Sequence, residues 1–398
     1  MNMTVPSFFL FTVYACVNVW LPLFLRNMGY SVTDIGLLLS IFEIFGVTLP
    51  FFTGNIPVKN GRYGLFLCIS AAILALVPFA LFSVHIFTVT ALCLGIYAAS
   101  VRGAVPVSDS YISLQLGGNR EVYGRIRAVG SLGFVVANLI MQRFIHIETI
   151  DSAQTIAWMS VPALLFMLSL LVSPGVMKPA HGAYGNANAS ENREPKIQKE
   201  KEGKRTAFLL SAFSPYYWLV LAVIFFTLLG QVPVNNFFSL YVREYLHSDS
   251  AALLWVISAS SEIPFMFFSN RFIRRYGSVP LILVCAAVAS LRNILYILFP
   301  TVAGAAAAQT LNSFTFGLFH PAAVMFAAEH ANKKEHGVLA QVLYSVGVAG
   351  LAKVLGNALG GITVDKFGYQ VLFASYAVFP LVGLLLFRLL YKKCRSAR

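Results

Sequence analysis

Charge is scarce in this chain. Only 11% of its 398 residues are Asp, Glu, Lys or Arg, while 58% are hydrophobic; an ordinary soluble domain carries roughly 25% charged residues. That balance excludes a water-soluble globular protein of this length. Cysteine and histidine are also few. Five cysteines, with no CxxC pair and no histidine cluster beside them, exclude a disulfide framework and a zinc site. The chain lacks GxSxG, HExxH and paired Cys/His spacing, so nothing points to an enzyme and no cofactor is expected. Long polar connections are missing with one exception, which leaves little room for a sensing domain outside a membrane.

What remains is apolar sequence cut into about a dozen stretches, each near the ~20 residues that a helix needs to cross a bilayer. Val5 to Leu25, Asp34 to Ile56, Gly64 to Val84 and Ser278 to Phe299 are examples. Helices satisfy their own backbone, which lipid cannot do. The net charge of +13 would suit nucleic acid, but the bases are spread over alternate connections and lack a stacking aromatic face. With the first helix entering from the cytoplasm, only Arg26, Arg143, Arg243 and Lys366 fall outside. Arg102, Arg292 and Lys353 lie inside helices, and all other Lys and Arg residues are cytoplasmic. This is the positive-inside bias. It predicts a multi-pass protein of the plasma (inner) membrane with both termini cytoplasmic. The first apolar stretch lacks a basic leader and a cleavage site, and is expected to stay as a helix.

One segment breaks the pattern. Residues 176–208 are polar and charged and read as a cytoplasmic linker between an N-terminal bundle, 1–175, and a C-terminal bundle, 209–398, with a short basic tail. The two parts echo each other. Asn18 precedes Arg26 by the same count as Asn235 precedes Arg243, and Phe51-Phe52 precede Gly61 as Phe267-Phe268 precede Gly277. Ser131-Leu132-Gly133 returns as Ser345-Val346-Gly347. The fold class expected is all-α: twelve transmembrane helices in two pseudo-symmetric six-helix bundles. Repeats of this kind place a solute site between the halves near mid-membrane.

Six ionisable residues fall well inside helices: Glu43, Arg102, Asp109, Glu262, Arg292 and Lys353. Each unpaired charge costs about 2.5 to 3.5 kcal/mol at mid-membrane, so they must be paired, hydrated or neutralised. Residues equidistant from a hairpin turn lie at equal depth, which predicts the pairs Glu262 with Arg292, about Gly277, and Asp109 with Arg127, about Gly118. Arg102, Pro106 and Asp109 share a helix face by their i, i+4, i+7 spacing, so Arg102 and Asp109 are expected to look into one space. Lys353 with Glu43 completes the set. A static role fixing helix register competes with a functional one, and for Asp109 with Arg127 the two stand even.

These motifs resemble the major facilitator superfamily, and within it the branch of lactose permease and phenylpropionate permease. Asp109, Tyr123-Gly124-Arg125-Ile126-Arg127 and Gly130-Ser131-Leu132-Gly133-Phe134 are similar to that branch's helix 4 acid, helix 5 arginine and aromatic sugar platform. Glu262 and Arg292 resemble its helix 8 acid and helix 9 arginine; Ser261-Glu262-Ile263-Pro264 and Phe316-Gly317-Leu318-Phe319-His320 are closest to the phenylpropionate branch. The loop motif between helices 2 and 3 keeps Gly54, Gly61 and Arg62 but has Val58 at its acid position. A fuller copy, Gly361, Asp365, Lys366 and Gly368, follows helix 11 and reads as a helix-ending turn.

The resemblance implies a secondary transporter that works by alternating access. It implies import of a small organic solute such as a sugar, nucleoside or aromatic carboxylate by proton symport, with a proton-coupled exporter as the alternative. The partners expected are the solute, protons and lipid, with no nucleic acid, and the functional unit expected is a monomer. The path would be lined by Asn18, Arg102, Asp109, Arg127, Phe134, Asn235, Asn236, Asn312 and Thr315, Arg102 offering a clamp for a carboxylate. Asn312 and Thr315 stand where the permease has a histidine and a glutamate, so a proton would ride on Glu262, Glu43 or Asp109. His320, beside Pro321, ranks below Glu262.

Overall fold

The computed structural model describes residues 3–53, 55–115, 120–173, 175–178, 213–329 and 337–395. Among them every regular element is helical. The helices group into α1 (Thr4–Asn27), α2 (Val32–Thr53), α3 (Tyr63–Ser83), α4 (Phe87–Gln115), α5 (Arg120–Phe144) and α6 (Ser152–Val172) in the first half. The second half holds α7 (Pro215–Tyr245), α8 (Ala251–Tyr276), α9 (Ser278–Leu298), α10 (302–329), α11 (337–367) and α12 (369–395). Nine stretches among the described residues are both long and apolar enough to cross a bilayer; the last runs through α11 and α12. The break between those two is Gly368, at φ 82°, a backbone region that a residue without Cβ enters freely. The expected linker lies almost wholly outside the described residues, as do Gly54 and Gly118; the side chain of Val58 is not described either.

Local chemistry sets several helix starts. Ser31 and Asp34 cap α2 reciprocally, Ser31 N–H donating to the Asp34 carboxylate (3.2 Å) and Asp34 N–H to Ser31 Oγ (3.0 Å). Asp151 takes the N–H of Gln154 at 2.7 Å at the start of α6, and Thr301 that of Gly304 at 3.0 Å at the start of α10. Prolines 50, 78, 106, 162, 264 and 380 sit within helices, where neighbouring helices can compensate for the lost hydrogen bond. Large apolar side chains such as Leu76, Phe79, Leu168, Phe267 and Leu385 are exposed on the outside of the bundle, as lipid contact requires.

Within the first half α1 packs on α5, α2 on α4 and α3 on α6; within the second, α7 packs on α11 and α12, and α8 on α10. Gly133 of α5 faces the backbone of Phe8 in α1, where a Cβ would collide with the Phe8 carbonyl. Between the halves, α2 meets α11 and α5 meets α8. At the α2–α11 crossing Gly36 and Gly361 touch; a Cβ on Gly36 would stand 3.0 Å from Gly361 Cα.

The apolar core is distributed unevenly along the membrane normal. At the end away from the termini, one continuous cluster joins both halves, from Trp20, Phe24 and Leu38 to Phe238, Tyr241 and Phe373. At the terminal end the core is split. One cluster, around Leu67, Tyr111 and Phe166, belongs to the first half, and another, around Tyr217, Ile282 and Phe326, to the second. Polar contacts follow the same division. Arg26 bonds Glu244 at 2.6 Å, Gln142 takes the N–H of Ala252 at 3.2 Å and donates to the Asp249 carbonyl at 2.6 Å, and Arg243 approaches Glu148 at 3.8 Å. All of these close the end away from the termini. The halves are therefore fused at one end and parted at the other.

Asp365 adds to that closure. The sequence motif around it reads as a turn, and Gly368 does end the helix. The Asp365 carboxylate, however, crosses to the other half and accepts the backbone N–H groups of Val32 (3.2 Å) and Thr33 (2.6 Å). It caps the exposed start of α2, whose first amides have no partner in their own helix.

Candidate functional site

The two sequence repeats at Asn18 and Asn235 coincide with a shared distortion. Each asparagine is the central residue of a π-helical turn, Cys16–Trp20 in α1 and Pro233–Phe237 in α7. Such turns recur at functional positions because they widen the helix and re-aim side chains. Asn18 and Asn236 are brought together at mid-depth, lining a cavity of about 20 Å³ with Glu43, Phe42, Arg102 and Asn357. Asn235 is half-buried on the same turn. The cavity has room for a water or the oxygen end of a ligand, not for its body.

Glu43 and Arg102 meet at its wall, and Lys353 reaches Glu43 from α11. Glu43 of α2 is nearly buried, with its side chain 5% exposed. Arg102 Nη2 of α4 donates to Glu43 Oε1 at 2.7 Å, and Lys353 Nζ of α11 lies 3.4 Å from Glu43 Oε2. The Lys353–Glu43 pair expected from sequence thus forms, across the two halves. Arg102 takes its ion pair from Glu43, at its own depth on the helix packed against α4, while Asp109 pairs with Arg127. The Phe42 ring lies 5.7 Å from the guanidinium and the Tyr14 hydroxyl is beside it.

Asp109 and Arg127 pair at 3.4 Å, and both remain partly exposed. Arg127 also stacks over the Phe11 ring at 4.5 Å. Phe134 is half-buried against the shared core, and its carbonyl accepts a hydrogen bond from Asn138 at 3.0 Å.

The second half holds a separate network. Glu262 and Arg292, expected to pair directly, lie at matched depth but do not touch. Asn312 stands between them, donating from Nδ2 to Glu262 Oε2 at 2.7 Å and accepting from Arg292 Nη1 at 3.0 Å. An amide carries both a donor and an acceptor, so it can bridge acid and base. Arg292 also donates to Thr315 Oγ1 at 2.8 Å and to Gln309 Oε1. Asn312 and Thr315 are buried and turn their side-chain oxygens to Arg292. His320 stacks on Phe316 and meets the Tyr344 hydroxyl at 3.1 Å.

Three participants escaped the sequence reading: Tyr14, Gln309 and Asn357. Spacing could have found two of them. Asn357 lies four residues after Lys353 and Gln309 three before Asn312, so each shares a helix face with a residue already singled out.

Two helical halves, fused at one end and parted at the other around charges at mid-depth, define a multi-pass membrane transporter. The chain belongs to the MFS_1 like family, whose model matches residues 1–375. It is 28% identical over 308 residues to the maltose permease of Geobacillus stearothermophilus, a match covering 75% of this chain and 71% of that one. It is 25% identical over 372 residues to the uncharacterized transporter YwbF of Bacillus subtilis (strain 168), covering 90% and 84%. Among solved structures, the nucleoside transporter NupG matches with a TM-score of 0.78 at 17% identity over 98% of both chains. A D-xylose-proton symporter matches with a TM-score of 0.67 at 13% identity over 96% of both. At those identities the structural matches establish the fold. The chain is a secondary transporter of the major facilitator type and not an enzyme.

Proposed function

We propose that this chain imports a small organic solute, a sugar, nucleoside or aromatic carboxylate, by alternating access driven by proton symport. The observation that carries the reading is the core, single at one end and split at the other, with partly exposed charges and amides at the fork. A membrane protein does not leave ionic groups at mid-depth facing a gap unless that gap is wet. The basic residues put the terminal end in the cytoplasm, so the gap opens inward and the fused end closes the outside. Rocking the halves about Glu43, Arg102 and Lys353 would reverse that arrangement.

In this reading Asn18, Asn235 and Asn236 face the solute, Asp109 and Arg127 line the inward route, and Phe134 backs it. Glu262, which is bonded to a neutral amide and to no base within 4 Å among the described residues, is the first choice for the proton, ahead of His320. Maltose transport by one relative supports a sugar. The test is uptake of labelled maltose, uridine and benzoate into energised vesicles, with and without a proton-collapsing agent. Accumulation of one of them that falls to equilibrium when the gradient collapses is the expected result; accumulation that is unchanged refutes symport, and flux of none of the three argues against this solute range.

A further inference from the structure

The Glu43 cluster beside the mid-depth cavity has a charge and a hydrogen-bond deficit of the same sign. Two bases, Arg102 and Lys353, share one acid, Glu43, so the cluster keeps one uncompensated positive charge. Their side chains are each 28% exposed although they lie between the halves at mid-depth, which makes them reachable from the open gap. The unsatisfied hydrogen-bonding atoms at this place are all donors. Asn357, with no exposed surface, spends its Oδ1 on Asn236 and leaves its buried Nδ2 without a partner; the Nε of Arg102 is likewise buried and unpartnered. A buried N–H left unmade is costly, and both residues that carry these donors line the one cavity, so a small turn of either side chain would bring its free donor to an entering oxygen. Lys353 Nζ, 3.4 Å or more from both Glu43 oxygens, is loosely held and has further donors to offer.

We infer that Arg102, Lys353 and Asn357 form a subsite for the carboxylate of a monoanionic organic solute. The inference rests on the carrier reading above and narrows its solute range. A single carboxylate supplies the missing charge and the missing acceptors together, and neutralises the cluster without removing Glu43. A phosphate dianion would overshoot to net negative charge, and a neutral sugar would leave the positive charge unmatched in a low-dielectric setting. The carboxylate end lies against the exposed faces of Arg102 and Lys353 at the edge of the cavity, while the body of the solute stays in the gap, where Asn18 and Asn236 meet it. Because Lys353 belongs to one half and Arg102 to the other, the bound anion bridges the halves at their pivot.

The test is a thermal-shift and calorimetric comparison on the purified full chain in detergent. It uses three acid and neutral pairs at matched ionic strength: glucuronate with glucose, benzoate with benzamide, and orotate with uracil. At least one acid is expected to raise the unfolding temperature while its neutral partner does not, since a bound solute stabilises by mass action. Lys353→Met and Arg102→Gln should each weaken that acid by about tenfold or more. Should either variant fail to fold, Glu43→Gln provides the second arm: it raises the uncompensated charge from one to two and is expected to tighten the same acid. Neutral members binding as well as acids, no acid-selective shift in the native sequence, or Glu43→Gln weakening the acid would each overturn the assignment. Vesicle flux separates this from the carrier reading: flux of neutral solutes with no acid preference in detergent removes the subsite and keeps the carrier, whereas acid binding without any flux does the reverse.

Discussion

The two buried charge clusters of this transporter use the same residue types in opposite ways. In the first, Glu43 is held directly by Arg102 and Lys353, spans both halves and stays in contact with the gap. In the second, Glu262 and Arg292 stand apart inside the second half, with Asn312 between them and Gln309 and Thr315 completing the arginine's bonds. The first is a set of ions exposed to whatever enters. The second is a neutral-bridged network in which the acid can change its charge without breaking an ion pair. In the proposed cycle the first cluster senses the solute and couples it to movement of the halves, and the second takes and releases the proton.

That contrast can be broken by substitution. Glu43→Gln leaves two bases unmatched and is expected to cost about 3 kcal/mol, the low end for a broken buried pair because both bases keep some water. Glu262→Gln keeps the acceptor that Asn312 uses and should cost less than about 1 kcal/mol. Unfolding of the two variants side by side in detergent checks the order, and equal costs would erase the distinction. Asn312→Leu falls between them. It removes an acceptor from Arg292 and the donor to Glu262, for about 2 kcal/mol on the same assay. Asp365→Ala removes the carboxylate that caps α2 from the other half, worth about 1 kcal/mol. Its effect should appear as a larger population opened at the end away from the termini, read from distances between labels on the two halves. Arg26→Ala should do least. The Arg26–Glu244 pair is partly exposed, so the loss should stay below about 1 kcal/mol and shrink further with added salt.

The helices were legible because a bilayer demands long apolar stretches, and the mid-depth charges were legible because they interrupt them. Hairpin geometry located Asp109 beside Arg127, since consecutive helices share a turn that sets relative depth. It gave the right depth for Glu262 and Arg292 but could not supply the third helix that inserts Asn312 between them. Contacts between helices distant in sequence were harder. Glu43 with Lys353 followed from matching acids to bases. Glu43 with Arg102 did not, because which face of α4 meets α2 is decided by packing. Asp365 was opaque for another reason: its partners are backbone amides at the start of a helix in the other half, and a backbone amide leaves no mark in the sequence. The repeats at Asn18 and Asn235 were visible as spacing, while the π-helical turns they mark were not.

In the proposed cycle the halves pivot about the Glu43 cluster, so that one end opens as the other closes. Pulsed electron paramagnetic resonance on the full chain in liposomes measures this directly, with the five native cysteines replaced and label pairs introduced by Thr149→Cys with Lys366→Cys at the fused end and Arg125→Cys with Arg271→Cys at the parted end. Two populations at each end are expected, with Asp365→Ala lengthening the first distance and shortening the second together. A fused-end distance that stays single and unchanged in every variant, while the other end varies on its own, would contradict the pivot.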